Sequence, residues 1–165
     1  MVKKPRSFLL VIFGIIVFFI LSLNLYIEKE KQNRFDNEVA AEILVEQSVQ
    51  DSARMYISAL RWRDIEKYNS VVVAPLKINK YSNYFNNIIA HVIDAKFIGD
   101  NLSAIHLKNN DRSATIHVKY EITFDESVKS DGIYTTGRNI CKVSLDLIKL
   151  KNKWVITNIY DLKMI

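Results

Sequence analysis

The segment that most constrains this chain is residues 8–27, FLLVIFGIIVFFILSLNLYI, which contains no charged side chain. A helix that is apolar all round has to be enclosed on every side, by protein or by lipid. At about 1.5 Å of rise per residue, such a run matches the roughly 30 Å hydrocarbon core of a bilayer. Asn24 and Tyr26 stand near its far end, where polar and aromatic groups reach the interface. The expectation is a transmembrane helix over residues 8–27 that is not removed. A cleaved signal peptide has a shorter apolar run and then small residues at the cleavage site, whereas Leu25-Tyr26-Ile27-Glu28-Lys29-Glu30 follows here. A pilin-like segment would carry an acid inside the run, and this one carries none.

Lys3, Lys4 and Arg6 form a short basic tail over residues 1–7 and are read as the topology-determining residues. Lys29, Lys31 and Arg34, beyond the run, alternate with Glu28, Glu30 and Asp36. A short basic tail, a hydrophobic segment and a long C-terminal domain have the layout of a signal anchor. We therefore expect a single-pass protein of the cell membrane, with a cytoplasmic N-terminus and an extracytoplasmic C-terminal domain.

The net charge of +5 argues less for nucleic acid than it suggests, because the basic tail supplies three of those charges and everything from Glu28 onward nets only +2. A nucleic-acid footprint needs Lys and Arg gathered on one face of the folded domain, and no such gathering is visible. Cys141 is the sole cysteine, which excludes an intramolecular disulfide and reads as a core residue. The remaining length suits one domain, and with 4 Gly and 2 Pro in 165 residues most of it should be ordered.

Residues 28–47 read as a juxtamembrane helical linker. Ser48-Val49-Gln50-Asp51 has the spacing of a capping box, which predicts a helix start near Ser48. Val49, Ala53, Tyr56, Ile57 and Leu60 then recur at steps of three and four, an apolar face that needs a sheet to cover. A second helix is predicted from Asp64 and a third over residues 81–91. From Ala95 the period changes to two. Residues 114–124 and 141–147 alternate apolar and polar side chains, and Lys151-Asn152-Lys153 turns into a strand over residues 154–160. Shorter strands at residues 96–98 and 103–107 flank the turn composition Gly99-Asp100-Asn101, and Asn109-Asn110-Asp111 forms another turn. Residues 125–138 read as a long polar loop or extended hairpin tip. Helices followed by antiparallel strands give an α+β fold, with the N-terminal helices packed on a curved antiparallel sheet.

This pattern resembles the cone-shaped fold of the nuclear transport factor two and ketosteroid isomerase superfamily, also called cystatin-like. The carrying features are Ala53-x-x-Tyr56-x-x-Ala59-Leu60, Asp64-x-x-x-Tyr68, the antiparallel strands and the terminal Lys153-Trp154-Val155-Ile156, within residues 48–165. One anchor before one such domain is similar to the bitopic scaffold subunits of bacterial type IV secretion and conjugation machines. That resemblance implies protein contacts, with envelope proteins or a second copy as partners and no enzymatic activity. A fold analogy alone carries this functional step. The residues expected to form the cone interior are Tyr56, Leu60, Trp62, Val118, Tyr120, Val143, Leu145 and Trp154.

No catalytic set, cofactor site or metal site is read from the sequence. Glu121 and Asp146 lie out of phase with the apolar positions of their strands, so they should point away from the cone interior. His91, His106 and His117 have no ligand spacing, and neither a phosphate-binding glycine loop nor a nucleophile elbow is present. Two readings remain. A membrane-anchored interaction or scaffold domain is expected first. The alternative is a membrane-tethered cone that binds a small molecule or acts on one. A pocket with inward polar groups would favour the alternative, and a filled apolar interior the scaffold.

Overall fold

The computed structural model describes residues 6–98, 103–108, 112–129 and 132–164, the side chains of residues 6–12, 103–105, 108 and 161–164 excepted. The turns expected at Gly99-Asp100-Asn101 and Asn109-Asn110-Asp111 lie outside the described residues, as do Lys3 and Lys4. The chain divides into two units, residues 1–43 and 44–165.

One helix, α1 (Arg6–Trp62), runs through the first unit and into the second without a break. The helix start predicted near Ser48 is therefore incorrect. From residue 28 to residue 62 the chain contains neither Gly nor Pro, and Glu, Lys, Gln, Ala and Arg recur throughout, so nothing interrupts helix propagation. Ser48 stands inside the helix, and its Oγ donates to the Val45 carbonyl at 2.8 Å. In the first unit, Arg34 and Glu30 pair at 2.6 Å one turn apart. Side chains are described from Phe13 onward, within the run read as a membrane span, and the large apolar ones up to Ile27 are exposed. Among the described residues, no helix is long and apolar enough to cross a membrane, so the predicted span gains no support there.

In the second unit, α1 ends where Arg63 takes a left-handed conformation (φ 54°), with Arg63 N–H bonded to the Leu60 carbonyl and Asp64 N–H to that of Ala59. This is a Schellman closure with arginine in the position that glycine usually fills. The Asp64 side chain then accepts from Lys67 N–H at 2.8 Å and caps α2 (Ile65–Val71), as predicted. The third predicted helix is shorter. It forms α3 (Asn83–Asn87), capped by Ser82, and after a break at Ile88 (φ −122°, ψ −68°) a 3₁₀ turn over Ile89–His91.

The sheet comprises β1 (Val92–Phe97), β2 (Ser103–Lys108), β3 (Ser113–Phe124), β4 (Gly137–Leu150) and β5 (Lys153–Met164), all antiparallel. β4 lies between β3 and β5. β1 and β2 do not pair with each other; they run one after the other along the free side of β3, β1 on Tyr120–Phe124 and β2 on Ser113–His117. In β3 the alternation is complete, with Ala114, Ile116, Val118, Tyr120, Ile122 and Phe124 all buried. A register shift in β5 lets Ile156 and Ile159 both pair with inward-facing residues of β4, Leu147 and Leu145, while Tyr160 stands opposite Ser144.

The helical face read from the sequence covers this sheet. Val49, Ala53, Tyr56, Ile57 and Leu60 are all buried, and the Ser52 hydroxyl donates across to the Trp154 carbonyl at 3.0 Å. A parallel bridge from Val72 to Ile156 ties the segment after α2 to β5.

Candidate functional site

The concave side of the sheet encloses an open pocket of about 610 Å³. That volume lies within the range of roughly 300 to 1,000 Å³ usual for small-molecule sites. Five tyrosines from five parts of the chain line it: Tyr56 of α1, Tyr68 of α2, Tyr84 of α3, Tyr120 of β3 and Tyr134 of the β3–β4 connection. The rings of Tyr56, Tyr68 and Tyr84 follow one another, with centroids 5.6 Å apart for Tyr56 and Tyr68 and 6.4 Å for Tyr68 and Tyr84. Tyr134 lies 4.8 Å from Phe124.

Burial holds these hydroxyls in their neutral form. It pushes Tyr56 and Tyr120 well above the ordinary phenol value, with the neighbouring phenols adding to the effect, and it raises Tyr68, Tyr84 and Tyr134 as well. Proximity to the Tyr56 hydroxyl lowers Tyr84, and proximity to the Tyr120 hydroxyl lowers Tyr134 and the Cys141 thiol, each against the larger effect of burial. Burial pushes that thiol up to about 11, which fits a core residue and not a nucleophile. The pocket thus offers neutral groups that can each donate and accept a hydrogen bond, set among apolar ring faces.

Two polar clamps hold the walls. Asn69 donates from Nδ2 to the Ile78 carbonyl at 2.7 Å and accepts from Ile78 N–H at 2.8 Å, which fixes the segment carrying Pro75, Leu76 and Lys77. Asn139, buried at the start of β4, accepts from Thr135 N–H at 2.9 Å and donates to the Thr135 and Gly137 carbonyls at 2.7 and 2.9 Å. The connection is also tied at its other end. Asp125 N–H bonds to the His91 carbonyl, Lys129 N–H bonds to the Asn87 carbonyl at 2.9 Å, and the Asp125 carboxylate contacts His91 Nδ1 at 3.0 Å and Ser127 N–H at 2.8 Å. These ties bring Lys129, Ile133 and Tyr134 into the pocket wall.

Of the residues read as cone interior, Tyr56 and Tyr120 line the pocket, while Leu60, Val118, Val143, Leu145 and Trp154 are buried in the packed core. The Trp154 Nε1 is buried with no hydrogen-bond partner. Trp62 is a correction, since it is 67% exposed. At about 100° per residue it lies roughly 200° around the helix from Leu60, so it cannot share the buried face, and the Arg61 guanidinium sits 5.2 Å above its ring. No spacing or motif gathers Tyr68, Tyr84 and Tyr134, or Lys77 and Lys129, at one site. The available signal was eight tyrosines in a chain of this length.

The acids and histidines lie elsewhere. Glu121 pairs with Arg138 at 2.6 Å and Lys96 at 3.3 Å, and Arg138 draws its carboxyl below the usual range. Asp146 accepts from Thr115 Oγ1 at 2.7 Å and from the Tyr160 hydroxyl at 3.0 Å. His117 contacts Ser144 Oγ at 2.7 Å and meets His106 edge-on. Both carboxylates thus belong to the face away from the pocket, as their phase in the strands predicts. Among the described residues no three potential ligands gather as a metal site would require.

Neither a family model nor a curated protein matches this sequence. The fold does have solved counterparts. A nuclear transport factor 2 (NTF2-like) superfamily protein from Salmonella enterica serovar Typhimurium superposes with a TM-score of 0.55 at 13% identity, covering 74% of this chain and 92% of that one. A protein from Novosphingobium aromaticivorans, described provisionally as an aromatic ring hydroxylase, superposes with a TM-score of 0.51 at 12% identity, covering 74% of this chain and 94% of that one. At such identities the likeness concerns the fold alone. The chain has the NTF2-like cone architecture: helices packed on an antiparallel sheet around a concave interior.

Proposed function

We propose that this protein is a membrane-tethered cone domain that holds a small molecule in its tyrosine-lined interior. One observation supports the binding half of this reading: the concave side is open over about 610 Å³ and presents neutral phenols instead of a filled aliphatic core. Empty space in a core costs stability, because its lining loses packing partners. A ligand that occupies it restores those contacts. The reading as a scaffold in an envelope assembly rests on fold analogy and has no comparable observation behind it. The NTF2-like architecture also houses the protein described as a ring hydroxylase, so catalysis on a bound molecule stays within this proposal as a finer question.

The tether rests on the uncharged run of residues 8–27 and on the exposure of its large apolar side chains from Phe13 to Ile27, with the domain outside the cytoplasm. A cysteine at Asn152, exposed between β4 and β5, tests the side of the membrane, with buried Cys141 as a silent background. An impermeant maleimide should label it in intact cells; labelling only after lysis would contradict the orientation.

The pocket is tested by thermal unfolding of the full chain against a panel of small aromatic and amphiphilic compounds. Ligands of the native state raise its stability by mass action, by about 2.7 kcal/mol at a hundredfold excess over Kd. Compounds should raise the melting temperature of the wild type and not of Ile159→Trp, whose indole would fill part of the pocket that Ile159 lines. Equal shifts in both would contradict binding in the cone, as would a complete absence of shifts.

A further inference from the structure

We infer that the molecule bound in the cone carries a negative charge at one end of an apolar, ring-bearing body: an aromatic or amphiphilic acid. This rests on the pocket being a ligand site, as proposed above, and on the charge distribution of its wall. Lys77 and Lys129 both line the pocket, and no aspartate or glutamate does so among the described residues. The asymmetry is not a property of the whole surface, because the chain holds 23 basic and 18 acidic residues, nearly in balance. Elsewhere in this unit Arg61 pairs with Asp94, and Lys96 and Arg138 pair with Glu121.

The two lysines are placed by backbone contacts that owe nothing to their own charge. Lys129 is set by its N–H bond to the Asn87 carbonyl at 2.9 Å. Lys77 is set by its N–H bond to the Ala74 carbonyl at 3.2 Å and by the Asn69 clamp on the next residue, Ile78. Both remain exposed, so each ammonium stays hydrated until a ligand arrives, and neither is a buried charge needing a permanent partner. Asn83 and Asn87, also in the wall, can donate from their amides. Below this rim the surface is aromatic and aliphatic, with Tyr56, Tyr120 and Ile159 among its residues. A carboxylate or similar anion at the rim, with its rings lying among the phenols, satisfies both layers. An amine would meet two cations and no acid.

The test compares naphthaleneacetate with naphthaleneacetamide, which have the same rings and differ in charge. Each is equilibrated by dialysis with the full chain in nanodiscs of neutral phosphatidylcholine. The same nanodiscs carrying Ile159→Trp, or Leu76→Trp if that variant does not fold, report the partition into lipid to be subtracted. The acid should bind about 5- to 10-fold more tightly than the amide, the sum of two solvent-exposed charge contacts. The preference should shrink in Lys77→Met/Lys129→Met and in high salt, while amide binding stays constant. Equal binding of acid and amide, both lost in the filled variant, would overturn the charge assignment and leave the pocket standing. Binding of neither compound beyond the filled variant would overturn the pocket and the charge assignment together.

Discussion

The two halves of the β3–β4 ladder face the same concave side and are built differently. In one, Ala114, Ile116 and Val118 stand opposite Leu147, Leu145 and Val143, aliphatic against aliphatic. In the other, Tyr120, Ile122 and Phe124 stand opposite Cys141, Asn139 and Gly137, large against small or polar. The aliphatic pairs are all buried in the core. The second half contributes Tyr120 to the pocket, whose other lining comes from α1, α2, α3, β5, the β3–β4 connection and the segment between α2 and α3. Strict alternation decides which face is inward; whether a residue on that face meets core or cavity depends on what the other elements pack over it.

The difference can be broken most severely in the sealed half. Leu145→Ala, at a fully buried position, should lower the unfolding free energy in urea by about 2 to 5 kcal/mol, because the surrounding core cannot collapse around the deleted atoms. A loss below about 1 kcal/mol would mean that this half is as loosely packed as the other. Next comes the polar stitch of the open half. Asn139→Ala removes one accepted and two donated backbone bonds and should cost about 1 to 3 kcal/mol. Its loss should also speed amide hydrogen exchange at Thr135 while leaving β3 protected, which separates a local loosening from global destabilisation.

Titration sharpens the comparison further, because the buried phenols Tyr56 and Tyr120 line the pocket. The phenols of Tyr56 and Tyr120 are raised above the ordinary value of 10.0 by burial, so above that pH the unfolded chain releases protons that the folded chain retains. Stability should therefore fall as pH rises past about 10, and Tyr56→Phe should flatten that fall without shifting the neutral-pH melting temperature by more than a few degrees. An alkaline limb unchanged by the substitution would contradict the burial of this hydroxyl.

The smallest effect belongs to the surface tie of the connection. Asp125 is held below its ordinary value of 3.8, chiefly by Ser127 N–H and then by His91. A depressed carboxyl contributes stability above its unfolded value, and that contribution is lost as pH falls through the folded one. Asp125→Asn should thus remove a minor acid-side decline below pH 3.8 and leave neutral stability nearly unchanged. A large loss at neutral pH would show that this tie bears on the global fold.

These contrasts explain what could be read from the sequence. The β3 alternation and the Val49, Ala53, Tyr56, Ile57 and Leu60 face were legible because each lies within one element of regular period, and burial follows period directly. Ser48 misled because Ser48-Val49-Gln50-Asp51 has capping spacing, whereas the residues before it offer the helix no reason to stop. Trp62 misled through its aromatic character, which its angle on the helix overrides. Of the pocket, only Tyr56 and Tyr120 were legible, as inward positions of α1 and β3. Its five tyrosines come from five segments spread over residues 56–134, and nothing in their spacing records that the folded chain brings them together.

The central claim, that the open half of the cone is a ligand site, is tested most directly by photolabelling the full chain with a diazirine-bearing benzoic acid and mapping the modified residues. Adducts should fall on Tyr56, Tyr84, Tyr120 or Tyr134 and disappear in Ile159→Trp. Adducts confined to the opposite face of the sheet, at His117 or Tyr160, would contradict the account.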